Sequence, residues 1–344
     1  MRRKSAMSKS AGFTLVELMI SVVLGLLLIA GAVATYLSSK RSYTEVEQFS
    51  ALTENARFAE LMMTDALLHA GFFGEVTSER LEARTDLTAP TGDCSGEAAA
   101  YNFSQYIFGA TVAADGSAIG CIDDGREGTD VLVVKRAIPR PLSDGARWNG
   151  VRNGTIDTPT TLQADTTYIM TNDVLGLIFD GADTAPDIQA GGDVPNGVAW
   201  PYLFEAYYVR DVPAPVPGDP PTPVLARKTL VWDTTALSMT IDTENLVEGV
   251  EQMRLQMGYD SDGDREVDAY TDVAGMTGLD WTDVGSVEVY LLVRSTTPDP
   301  QFTESKTYHL GGDNFVTPDT DLNYRRLLVS TQASLRNPKL VLRR

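Results

Sequence analysis

Residues 13–37 read FTLVELMISVVLGLLLIAGAVATYL, and this stretch decides the architecture. It is apolar except for Thr14, Glu17, Ser21, Thr35 and the phenol of Tyr36. As a helix it spans about 37 Å at 1.5 Å per residue, enough to cross a hydrocarbon core of roughly 30 Å. The preceding residues 1–12, MRRKSAMSKSAG, are basic and contain no acid. Basic flanks stay on the cytoplasmic side, so Arg2, Arg3, Lys4 and Lys9 are expected inside and the rest of the chain outside. A secretory signal would show a shorter apolar run followed by a small-residue cleavage site. Here the order is reversed: the candidate processing site, Gly12–Phe13, comes before the apolar run.

Helical character continues beyond residue 37. Residues 38–69 hold neither proline nor glycine. Apolar positions recur at Val46, Phe49, Leu52, Ala56, Ala59, Met63, Ala66 and Leu67, a spacing of three and four that marks one helix face. Gly71 supplies a stop signal. One helix is therefore expected over 13–70, about 87 Å long: greasy all round over 13–37, amphipathic over 38–70. His69, near its end, reads as a satisfied surface or capping histidine.

Past Gly74 the pattern changes to strands and loops, giving a β-rich head over 71–344. Val131-Leu132-Val133-Val134 reads as a buried strand, and 202–210 with 224–233 as a hairpin. Between these two lies VPAPVPGDPPTP, Val212 to Pro223, a proline-rich excursion expected to interrupt any ladder. Further strands are expected at 250–259, 287–295 and within 325–344. The fold class is α+β, a long helix packed on antiparallel sheet.

The chain has 28 basic and 47 acidic residues, a formal charge of −19. Four of the basic residues stand in the leader, so its removal moves the balance to −23. Such a surface repels phosphate backbones and argues against nucleic-acid binding. Enzymatic chemistry finds little footing. The two histidines, His69 and His309, lie far apart, and no H-E-x-x-H, G-x-S-x-G, P-loop or G-x-G-x-x-G is present. The expectation is a non-catalytic protein that requires no cofactor.

Gly12-Phe13-Thr14-Leu15-Val16-Glu17, behind a basic leader and ahead of an apolar run, resembles the processing site of type IV prepilins and of type II secretion pseudopilins. The resemblance implies cleavage after Gly12 and methylation of Phe13 by the prepilin peptidase. It also implies a single-pass inner-membrane protein with its C-terminal head in the periplasm, later incorporated into an extracellular pilus. A carboxylate in hydrocarbon costs at least roughly 2.5–3.5 kcal/mol, so Glu17 needs a partner or a task. The resemblance supplies one: pairing with the Phe13 α-amine of a neighbouring subunit, which sets the register of stacked helices.

The head resembles the PilW branch of minor pilins at Leu68–Gly74, Gly128–Val134, Gly258-Tyr259-Asp260, Asp268-Ala269-Tyr270, Val287–Ser295, Tyr324-Arg325-Arg326 and Leu335-Arg336-Asn337. This implies partnership with other minor pilins and the major pilin in a complex that primes assembly at the tip, beside a pilus-tip adhesin. The alternatives are a type II secretion pseudopilin and an adhesive or ligand-binding pilin head.

Cys94 and Cys121 are two free thiols in a reducing compartment and one disulfide in an oxidising one. The exported location implied above favours the disulfide, worth roughly 3 kcal/mol by loop closure, with the intervening loop as a surface flap. The remaining constellation is Asp260-Ser261-Asp262-Gly263-Asp264-Arg265-Glu266-Val267-Asp268. Carboxylates at relative positions 1, 3, 5 and 9, with the Glu266 carbonyl at 7, are a candidate ligand set for Ca²⁺. Similar loops bind calcium in the large adhesin of type IV pilus tips. The pattern departs from an EF-hand, with Arg265 where that loop needs glycine and Thr271 where it needs a bidentate glutamate. The competing reading is a solvated acidic turn.

Overall fold

A computed structural model describes residues 12–142, 162–214, 220–264, 266–318 and 321–337. Arg2, Arg3, Lys4 and Lys9 of the leader, positions 215–219 of the proline-rich run, Arg265 of the acidic loop and positions 338–344 of the tail lie outside the described residues.

One helix, α1, runs over Leu15–His69. Gly71 ends it: its φ of 69° is the left-handed conformation that glycine adopts without a Cβ penalty. The freed Gly71 N–H donates to the carbonyl of Lys135 at 3.1 Å. By contacts the chain divides into two compact units, Met1–Ser50 and Ala51–Arg344. In the first, the large apolar side chains of α1 are exposed, among them Leu18 (59%), Leu24 (56%) and Leu28 (76%). The helix is long and apolar enough to cross a bilayer.

Among the described residues the second unit holds fourteen strands. The first eight are β1 (Leu81–Ala83), β2 (Ile107–Thr111), β3 (Asp130–Ala137), β4 (Thr167–Thr171), β5 (Gly176–Asp180), β6 (Val198–Val212), β7 (Thr222–Asp233) and β8 (Ser238–Glu248). They form one sheet in the order β1-β5-β4-β6-β3-β2, with β7 on β6 and β8 on β7. Strand β6 is the organiser: Val198–Pro201 pair with β4, Tyr202–Tyr207 with β3, and Glu205–Val212 with β7. A second sheet, ordered β10-β9-β11-β14, joins β9 (Val250–Tyr259), β10 (Ala269–Asp272), β11 (Val284–Arg294) and β14 (Arg326–Ser334). Strands β12 (Thr307–Leu310) and β13 (Asp313–Val316) make a separate hairpin. All named pairs are antiparallel except β1 with β5. The class is α+β, as the sequence predicts.

The two larger sheets share one core with the end of α1. Leu52, Ala56, Ala59, Met63, Ala66 and Leu67 are at most 2% exposed and belong to one cluster with Leu132, Phe204, Met253, Leu255 and Val289. Alanine at three of these helix positions lets the backbone come close to the sheet. Polar contacts fix the helix on that surface: Thr64 and Thr331 hydroxyls meet at 2.9 Å, and the Asn55 amide donates to the carbonyl of Glu248 at 3.1 Å.

Three expectations are corrected. The apolar face of α1 is buried only from Leu52 onward; Val46 (65%) and Phe49 (56%) are exposed. The run Val212 to Pro223 does not interrupt the ladder at its ends, because Val212 pairs with Thr222 and Asp211 with Pro223. Proline lacks an N–H but keeps its carbonyl, and Pro223 accepts the Gly249 N–H at 2.7 Å. The loop between the cysteines is no surface flap. It contains β2 and buries Ala98, Ala100, Phe103, Tyr106, Ile107 and Val112.

Candidate functional site

At the start of α1, Phe13 is 82% exposed. Thr14 and Glu17 bond reciprocally. The Glu17 N–H donates to the Thr14 hydroxyl at 3.2 Å, while Glu17 Oε2 accepts the Thr14 N–H at 3.0 Å and the Thr14 O–H at 2.9 Å. This is a capping box, which satisfies amide donors left over at the first helical turn. The sequence reading assigned Glu17 a role between subunits and missed this one within the chain. The Thr-x-x-Glu spacing was the available signal.

The acidic loop follows β9. Asp260 Oδ1 accepts the N–H groups of Asp262 (3.1 Å) and Gly263 (2.7 Å), Asp262 Oδ1 that of Asp264 (3.1 Å), and Asp264 Oδ1 that of Glu266 (2.8 Å). Asp268 closes the turn by accepting the Ser261 N–H at 2.9 Å. Of the five acidic residues in the candidate ligand set, Asp260, Asp262 and Asp268 bring a carboxylate oxygen each within 4.8 Å of one another. Asp264 and Glu266 are not in that group.

Cys94 and Cys121 form a disulfide. Beneath the segment that begins at Cys94 lies Lys135, which is 0% exposed and carried on β3. Its Nζ donates to the carbonyls of Glu97 (2.6 Å) and Asn102. Burial pulls the Lys135 ammonium down to about 7, with the charges of Asp93 and Glu97 partly opposing. Asp93 in turn accepts the N–H groups of Cys94 (2.8 Å) and Ala100 (2.9 Å), and burial raises its carboxyl. The loop is thus folded around a lysine that no sequence pattern singled out.

Sheet two is anchored by charge. Glu251 on β9 and Arg326 on β14, both with fully buried side chains, form a two-pronged pair at 2.6 and 3.0 Å. Arg294 and Arg126 approach the same carboxylate at 3.8 and 3.7 Å. Arg325 pairs with Asp299 at 2.9 Å and lies over the ring of Phe302. Asn337 donates to the carbonyls of Leu68 (3.0 Å) and Ala70 (3.2 Å), covering acceptors at the end of α1. Tyr324-Arg325-Arg326 and Leu335-Arg336-Asn337, two of the short runs that resembled PilW, therefore include the residues that fasten the tail to sheet and helix. His69 binds the Asp65 carbonyl at 2.9 Å, and His309 meets Asn314, so each histidine has a local partner.

A processing motif at the head of a long apolar helix, with the helix end laid on antiparallel sheet, defines a type IV pilin-like subunit. Comparison with protein families narrows the class. Residues 206–337 match the family described as Type IV Pilus-assembly protein W, and residues 7–33 match the Prokaryotic N-terminal methylation motif. The two matches support a PilW-family type IV pilin, similar to the minor pilins of the type IV pilus. No curated protein and no solved structure gives a significant match. Pilin families are structural, and the methylation motif implies processing by the prepilin peptidase and assembly with other pilins. The helix and the motif together point to membrane anchoring and incorporation into a pilus.

Proposed function

We propose that this chain is a non-catalytic assembly subunit. It waits in the inner membrane with its head in the periplasm, then joins other minor pilins in a complex that primes the filament and stays at its tip. The observation that carries this reading is the joint presence of the N-terminal methylation motif and the PilW-family head on one chain. In assembly, Glu17 exchanges its capping contact with Thr14 for the Phe13 α-amine of a neighbour, which fixes axial register. A clean deletion tests the reading by scoring surface pili and twitching beside secretion of exported enzymes. Loss of pili and twitching with normal secretion is expected; normal pili with failed secretion would reassign the chain to type II secretion. Glu17→Ala is expected to reproduce the deletion without lowering the amount of processed protein.

The acidic turn is read as a site for a hard divalent cation that stiffens the loop beside β9. The convergence of Asp260, Asp262 and Asp268 supports it, since up to six oxygens come from these three carboxylates. Calcium titration of the full chain in detergent should raise its unfolding temperature, and Asp262→Asn should remove the response. An unchanged temperature at millimolar calcium would leave the turn a solvated one.

A further inference from the structure

Beside the disulfide-closed loop lies a cavity of about 580 Å³ that the assembly reading leaves without a task. That volume falls within the range of small-ligand sites, roughly 300–1,000 Å³. One wall comes from the loop, through Glu97, Gln105 and Phe108; the other comes from the segment between β10 and β11, through Met276, Asp280 and Trp281. Phe108 and Trp281 meet with ring centroids 5.1 Å apart. Gly109 of β2 lies beneath them, where a Cβ would stand 3.0 Å from the Trp281 ring. Any larger residue there would displace the indole.

The Thr277 hydroxyl in the lining already donates to the Ala274 carbonyl at 2.9 Å, so what it offers a ligand is an acceptor. Gln105 is only 9% exposed, and its Oε1 finds no hydrogen-bond partner among the described residues. Its Nε2 faces Asp280 Oδ1 at 3.3 Å. That contact fixes the amide, because a flip would set two oxygens against each other. Asp280 also accepts the Thr282 N–H at 2.9 Å, which holds its carboxyl below the usual range and therefore ionised. The lining includes Glu97 and Asp280 and, among the described residues, no basic residue. A buried acceptor without a donor is costly, so a side chain that brings donors to Gln105 and to the Asp280 carboxylate is favoured here.

We propose that the cavity receives an arginine side chain presented by an extended segment of a partner protein. A guanidinium offers five donors in a planar fork and stacks on aromatic faces, which fits the Asp280 carboxylate, one amide oxygen and the Trp281 ring. Lysine would bring three donors and a strongly hydrated point charge that gains less from the aromatic wall. A neutral sugar would need donors as well as acceptors from the lining. The apolar side chains of Val273, Met276 and Leu279 accommodate the arginine stem and a neighbouring aliphatic residue. The acidic chain, at −19 overall, steers such a basic segment toward its surface. This inference does not depend on where in the pilus the protein sits.

The test uses the full chain in detergent micelles, labelled with 5-fluorotryptophan at its four tryptophans. The Trp281 resonance is assigned by its loss in Trp281→Phe. Acetyl-Leu-Arg-amide is titrated against the citrulline counterpart, which has nearly the same shape and no charge. A saturable shift of the Trp281 resonance with the arginine peptide is expected, weakened about tenfold or more for citrulline and for Asp280→Asn. Asparagine keeps the cap on Thr282, so that variant preserves the fold. Gln105→Met should weaken binding by about threefold or more, with the other tryptophan resonances unmoved. Absence of a saturable shift, equal binding of the two peptides, or unchanged binding by Asp280→Asn would each overturn the proposal. A Trp281 shift with lactose in place of the peptide would overturn it in favour of a saccharide pocket.

Discussion

Leu18, Leu24 and Leu28 stand more than half exposed, whereas Leu52, Ala56, Ala59 and Met63 on the same helix are 2% exposed or less. The first group sits in a run that is apolar on nearly every side, so no single face of that cylinder is marked for burial. The second group alternates with Glu54, Arg57, Glu60 and Asp65 and puts small residues where the sheet approaches. Stability in the head follows from contacts the chain makes with itself, including buried charges that need exact partners. Burial of the first half of α1 must come from lipid or from other subunits, since the hydrophobic effect leaves so much apolar surface exposed only when something else covers it.

The contrast breaks most sharply at the buried pair. Arg326→Met is expected to cost about 3–5 kcal/mol by stripping buried Glu251 of its two short hydrogen bonds and leaving it only the longer approaches of Arg294 and Arg126, read from urea unfolding followed by tryptophan fluorescence. All four tryptophans stand beyond residue 50, so this signal reports the head. Adding Glu251→Leu to Arg326→Met should recover part of the loss. A single variant as stable as wild type would show that the pair is not a source of head stability.

Removing the disulfide comes next. Cys94→Ser with Cys121→Ser is expected to cost about 3 kcal/mol, because the open loop gains conformational freedom in the unfolded chain. The same unfolding curve measures it. Since this loop is part of the core and not a flap, its opening should also expose Phe103 and Tyr106 to solvent, visible as a change in near-ultraviolet dichroism.

Lys135 provides a pH test within the head. Its folded value, about 7, lies below the ordinary 10.5. Between those limits the unfolded chain holds a proton that the folded chain has released, so stability rises with pH through that window. The buried tyrosines, whose values burial raises, act in the opposite sense only above pH 10. A gain on the order of 2 kcal/mol is expected from pH 7 to pH 9.5. Lys135→Met should flatten the slope, and an equal slope in both proteins would remove Lys135 as its origin.

The smallest effects sharpen the helix comparison directly. Ala59→Leu overpacks a fully buried position and is expected to cost the head about 1–3 kcal/mol. Leu27→Ala, at a side chain 64% exposed, should leave head unfolding within about 0.5 kcal/mol of wild type. Equal losses from the two substitutions would mean that the head draws stability from both halves of α1.

Much of this fold was legible because its signals are local. An uninterrupted apolar run, the change to three-and-four spacing and the glycine at 71 gave α1 within two residues of its ends. Runs such as Val131–Val134 and 250–259 gave buried strands. Strand β8, Ser238–Glu248, was not found, since it carries charged and polar residues on its open face and owes its existence to pairing with β7. The five-residue strands β4 and β5 were missed for a related reason: neither is long enough to show a period. In the acidic loop the residue types were visible, but which three carboxylates converge depended on how the turn closes. Gln105, Lys135 and Trp281 gave no signal, because a buried amide, lysine or indole is recognised only by what surrounds it.

By itself the sequence determined the membrane-length helix, the N-terminal methylation motif that overlaps its start, the sign of the net charge and the α+β class. These depend on composition and on periods of a few residues, which short-range steric and solvation rules convert into structure. The tertiary structure decided that the cysteine loop is core, that Glu251 and Arg326 are mates across 75 positions, and that Glu97, Gln105 and Asp280 share one cavity. Those outcomes depend on contacts between residues remote along the chain, whose energies exist only once the sheets have formed.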